Sequence, residues 1–155
     1  MSSVLSDIKK EYMISLLKNG KREDGRGLND MRDLKVELGI VNKAEGSCFV
    51  QVGDTKVIAG VKCESGAPFP DTPNQGVFTT NAELIPMASP DFEAGPPRED
   101  AIELARIVDR GIRESGAIDF QKLVIKEGEL VRVLFVDIHI MDYNGNLLTQ
   151  LELQQ

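Results

Sequence analysis

Arg106, Arg110 and Arg113 stand within the stretch ELARIVDRGIR, residues 103 to 113, of a chain that is acidic overall. At roughly 100° per helical residue the three fall within a narrow arc, a spacing that suits guanidinium groups to phosphate oxygens. The spacing also suits an ordinary solvated face, because Glu103 and Arg106, Asp109 and Arg113, and Arg110 and Glu114 stand three or four residues apart and can pair. Spacing alone favours the solvated face. Against it, Arg106 and Arg110 are a like-charge pair four residues apart, which is destabilising unless an anion lies between them.

Other chemistry-bearing residues offer less. His139, the only histidine, lies in the most apolar segment with Asp137 on the same face, which predicts a hydrogen-bonded core histidine rather than a metal or catalytic one. Arg22 and Arg26 in REDGR flank Asp24, which predicts a turn tied by ion pairs. Neither a glycine-rich phosphate loop nor a nucleophile elbow is present, and no Cys or His spacing suits a metal. DYNGN shares the opening of a calcium loop but lacks the bidentate Glu that would close it. No cofactor is expected. Cys48 and Cys63 flank a hairpin whose register pairs position 48 with 59, so two buried free thiols are expected.

At 155 residues and 17.0 kDa the chain has the size of one domain, and 41% hydrophobic content is enough for a core. The apolar runs are too short to cross a bilayer and no secretory signal is visible, so a cytoplasmic protein without membrane contact is expected. The net charge of −7 and pI near 4.8 disfavour a surface that grips polyanions everywhere. Any phosphate site must be local or completed by a partner.

The elements that would position the arginines follow from periodicity. Residues 4–18 are spaced as a helix, with Val4, Ile8, Tyr12 and Leu16 on one row, Leu5, Met13 and Leu17 on another, and Gly20 as its cap. LKVELGIV is a strand, GSCFVQVGDTKVIAGVKCE a hairpin turning at Gly53-Asp54, and GVFTTNAELI a further strand. A helix from Glu99 to about Ser115, ending before Gly116, turns Leu104, Ile107, Val108, Gly111 and Ile112 to the sheet. QKLVIKEG and VRVLFVDIHIMD are strands, the second central and covered on both faces. The class is α+β.

Taken in order, REDGRGLNDMRDL, GSCFVQVGDTKVIAGVKCE, FTTNAELIP, EDAIELARIVDRGIRESGAIDFQKLVI and VDIHIMDYNGNLL resemble the RNase PH family, and within it the non-catalytic branch found in the archaeal exosome. The likeness runs over residues 22–148. It implies the first part of an RNase PH-like (ribosomal protein S5 domain 2-like) β-α-β fold, with an N-terminal helical arm over 1–20, the incomplete domain over 21–148 and an atypical tail over 149–155. It also implies a hexameric ring of three heterodimers with a catalytic RNase PH-like subunit. That subunit attacks the 3'-terminal phosphodiester of single-stranded RNA with inorganic phosphate and releases a nucleoside diphosphate. RNA-binding cap proteins are further implied partners. Arg106 and Arg110 match positions that point towards RNA beside the neighbour's active site, whereas Arg113 is left to the solvated face.

The chain departs from active members, which read Asp-Gly-Gly-Thr-Arg where this one reads Asn144, Gly145, Asn146, Leu147 and Leu148. The family's catalytic aspartate and phosphate-binding Ser-Arg pair belong to a second half that the sequence does not contain. The resemblance therefore implies a subunit without a catalytic residue of its own, and the alternative is a phosphorolytic 3'-to-5' exoribonuclease in its own right. Thr-Gln-Leu-Glu-Leu-Gln-Gln ends the chain where the branch continues Asp-Ala-Ala, and a one-base deletion near codon 148 would account for that change.

Overall fold

The computed structural model describes residues 2–147, with Ser2 to Asp7 and Lys9 as backbone only. Contacts divide it into two units, Met1–Arg32 and Asp33–Gln155. In the first, α1 spans Ser2–Lys18, and Gly20 leaves the helix with φ of 69°, a left-handed conformation that glycine adopts without strain. Ile8, Tyr12 and Leu17 of the expected rows are exposed. Of the ion pairs expected in the turn after α1, the one between Arg26 and Asp24 forms, whereas Arg22 among the described residues bonds a carbonyl instead. Arg26 Nε lies 2.7 Å from Asp24, and Arg22 Nε and Nη2 donate to the carbonyl of Leu28 at 3.0 and 2.6 Å. The Arg26 guanidinium, hydrogen-bonded to Asp24, holds that carboxyl below the usual aspartate range.

The second unit is a mixed sheet with one helix on it. Strands β1 (Leu34–Leu38), β2 (Gly46–Val52), β3 (Thr55–Gly66), β4 (Val77–Leu84), β5 (Val124–Lys126) and β6 (Leu130–Asp142) surround α2 (Glu99–Ser115) in the chain order. The sheet order is β1-β2-β3-β6-β4, with β5 also pairing β6. The hairpin closes at Gly53-Asp54 with Cys48 opposite Ala59, as the alternation predicts. Both cysteines are free and half-buried rather than buried, and partial burial pushes the Cys48 thiol upward.

β6 is central, antiparallel to β3 and parallel to β4. Its helix-facing residues join a core of Val57, Ala59, Ala82, Leu104, Ala105, Val108, Ile138 and Ile140, against which Leu147 also packs. Coverage of both faces is not observed: among the described residues α2 covers one face, lying along β4 and packing on the core residues of β3 and β6. His139 accordingly is not a core residue. It sits on the face away from that core, its side chain 42% exposed, with Nδ1 3.3 Å from Glu83 of the neighbouring strand. The expected strand QKLVIKEG is shortened to the three residues of β5, because its first three residues belong to a 3-10 turn over Phe120–Leu123 that Asp119 caps by accepting from the Gln121 amide at 3.1 Å.

The DYNGN turn is tied to the hairpin by Thr55, which is fully buried. Its hydroxyl donates to the Gly145 carbonyl at 2.9 Å and accepts from the Asn144 amide at 2.8 Å. Gly145 and Asn146 both take positive φ, 77° and 65°, so the chain reverses sharply past β6. Leu148 and the tail at 149–155 lie outside the described residues.

Candidate nucleic-acid interface

Helix α2 positions the three arginines. Glu99 and Asp100 stand in its first turn, where they complement the dipole, and Gly116 closes it with φ of 68°. Ala101, Leu104, Ala105 and Val108 are the buried face. Ile107, expected on that face, is 46% exposed. It adjoins Val108 and is therefore turned roughly 100° from it, which carries it off the arc that packs on the sheet. Ile102 is exposed on the other flank.

The arginines part company. Arg113 folds back onto the sheet: Nε pairs with Asp109 at 2.7 Å and Nη2 donates to the Phe78 carbonyl at 2.8 Å. Its guanidinium lies 5.3 Å from the Phe78 ring centre and 5.4 Å from that of Phe120. Those contacts hold the end of α2 against β4 and leave Arg113 unsuited to a ligand. Arg110, its side chain 79% exposed, reaches Glu114 only at 3.9 Å, an ion pair of little energetic weight at such exposure. Arg106 is exposed and makes no ion pair with Glu103 among the described residues. Arg106 and Arg110 thus project from a face on which two isoleucines flank them, over a shallow basin bounded by Glu99, Glu103 and Glu114.

Two further features had no local signal in the sequence. Thr80, on β4, has a buried hydroxyl with no hydrogen-bond partner among the described residues, and it borders a recess of about 290 Å³ with Ala101, Ala105 and Arg106. Arg98 precedes α2 without capping it and pairs with Glu93. No cluster of His, Cys, Asp and Glu suited to a metal occurs among the described residues, and no helix of the described chain is long and apolar enough to cross a membrane.

A sheet ordered β1-β2-β3-β6-β4 under one amphipathic helix defines an α+β domain of the RNase PH type. Residues 30–151 match the model of the 3' exoribonuclease family, domain 1, and the chain belongs to that family. It is 57% identical over 145 residues to the exosome complex component Rrp42 of Thermococcus onnurineus, covering 94% of this chain and 53% of that protein. The corresponding component of Thermococcus kodakarensis is 58% identical over 145 residues, with the same coverage of 94% and 53%. The chain thus spans about half the length of the curated relatives it matches. Among solved structures, a chain of the Archaeoglobus fulgidus exosome with RNA bound to the active site superposes with a TM-score of 0.90 at 54% identity, over 97% of this chain and 59% of that one. An archaeal exosome core gives 0.83 at 49% identity, over 97% and 56%. Rice Rrp46, at 20% identity and a TM-score of 0.64 over 84% and 56%, shares the fold alone.

Proposed function

We propose that the chain is a non-catalytic, RNA-binding and structural part of an archaeal exosome ring, supporting phosphate-dependent 3'-to-5' RNA degradation by a catalytic RNase PH-like partner. The observation that carries the reading is the divergence on α2: Arg113 is consumed by Asp109, Phe78 and Phe120, whereas Arg106 and Arg110 are held out from the same helix with little or no internal pairing. Likeness to exosome components over 94% of the chain supports it. Two guanidinium groups on a rigid helix contact RNA phosphates without sequence preference, since nothing beside them reads a base edge. The chain's acidity is then compatible with RNA, because only the surface facing the RNA needs to be positive and the partner supplies the rest.

The absence of catalysis is likewise our reading, and Asn144 to Leu147 support it. The position beside the central strand carries Leu147 packed against the apolar core, where active members place polar residues. The ring of three heterodimers, the cap proteins and a cytoplasmic location complete the proposal, and inorganic phosphate enters as the partner's substrate. Single-stranded RNA and inorganic phosphate, incubated with this chain alone, should release no nucleoside diphosphate, while the catalytic subunit with the chain should. Release by the chain alone would make it an enzyme and overturn the proposal.

A further inference from the structure

We infer that the chain beyond Leu147, residues 148–155, seats as a short helix in the apolar groove between α2 and β2, with Leu151 in the hollow over Ala59. The seat lies within one chain and needs no ring.

α2 covers only part of its side of the sheet. Beside it runs a groove of about 480 Å³, with Val108 and Ile112 of α2 on one wall, Cys48 of β2 on the other, and Val61 and Val136 between them. Cys48, Ile112, Val61 and Val136 are only half-buried, so among the described residues the groove is left open. Across its floor Cys48, Ala59 and Ile138 stand in one row on β2, β3 and β6, which puts the smallest side chain between two larger ones. Such alternation leaves a hollow for a branched apolar side chain from the facing layer.

The described chain ends at this groove. Gly145 and Asn146 reverse it at positive φ, and Thr55 pins the turn through the Gly145 carbonyl and the Asn144 amide. Leu147 is already helical and packs against a core to which Ala59, Val108 and Ile138 of the groove also belong. Along that face of β3, Thr55, Val57 and Ala59 follow one another at steps of about 6.7 Å. From Leu147 to Leu151 a helix advances about 6 Å, which carries Leu151 one step further along β3, towards Ala59.

The segment LTQLELQQ suits that path, since it has neither Gly nor Pro and is mostly Leu, Gln and Glu, which are good helix formers. At roughly 100° per residue, Leu147, Leu148 and Leu151 share one side and Leu153 lies opposite. So short a helix does not hold in water by itself, and packing in the groove must hold it. Seated there, it braces Val108 and Ile112, and with them the helix that carries Arg106 and Arg110.

Thiol labelling of Cys48, in a chain carrying Cys63→Ser, reads whether the groove is covered. Leu151→Asp should raise the labelling rate about tenfold or more by freeing the tail, whereas Leu153→Asp should leave it unchanged. An unchanged rate in Leu151→Asp would overturn the inference. Equal acceleration by both variants would overturn it too, because an extended tail, unlike a helix, puts Leu151 and Leu153 on the same face. Should Leu151→Asp unfold the sheet, seen by circular dichroism, Leu151→Cys keeps an apolar side chain there and gives the answer in a folded chain: a short bismaleimide should join it to Cys48 within one molecule. No link contradicts the seat, and a link only between two molecules gives the groove to a second copy of the chain instead.

Discussion

Replacing Arg106 and Arg110 together by Glu is expected to lower RNA affinity of the assembled ring about tenfold or more and to flatten its salt dependence. Each phosphate contact on a single strand contributes roughly 0.7 to the slope of log affinity against log salt, so losing two should reduce it by about 1.4. The folded chain should be unaffected, because the 79% exposed Arg110 makes only a 3.9 Å pair with Glu114. Filter binding of a single-stranded oligonucleotide across a salt series reads both quantities. Arg113→Glu makes the control in the opposite sense: it should cost stability through the lost Phe78 and Asp109 contacts while barely changing the salt slope. An unchanged slope in the double variant would remove the two arginines from the RNA path.

The second large effect lies in the core. Ile138→Ala empties a position only 2% exposed at the centre of β6, beneath α2. Such truncations cost about 2–5 kcal/mol, the transfer free energy plus the cavity left behind. The urea midpoint should fall accordingly. Since β6 contacts both β3 and β4, the loss should loosen the platform that holds α2 and its arginines, and RNA binding should fall in parallel with the fraction folded. A midpoint within error of the parent would mean that the sheet does not unfold as one unit.

The residues differ in how much of this they disclose in advance. The Cys48 and Ala59 pairing follows from a two-residue turn at Gly53-Asp54, which sets register locally. The limits of α2 follow from acidic residues in its first turn and Gly116 after its last. Periodicity placed Leu104 and Val108 on the sheet but also Ile107, because a wheel cannot tell how wide an arc of the helix the sheet will cover. His139 misled for a related reason: an apolar strand is read as covered on both sides, yet Asp137, His139 and Glu83 share a face that α2 does not reach.

Arg113 marks the limit for the site. Its pairing with Asp109 is visible as an i,i+4 spacing, but its seat between Phe78 and Phe120 joins residues far apart in the chain. That seat is what separates it from Arg106 and Arg110. Thr80 gave no sign at all, since a buried hydroxyl without a partner depends on every neighbour that fails to reach it.

The most direct test of the account is the mass, by light scattering on a sizing column, of this chain mixed with the catalytic RNase PH-like subunit of the same organism. A mixed hexamer of three heterodimers is the predicted result. Two separate species, with no mass above that of either protein alone, would contradict the proposed role as a ring subunit.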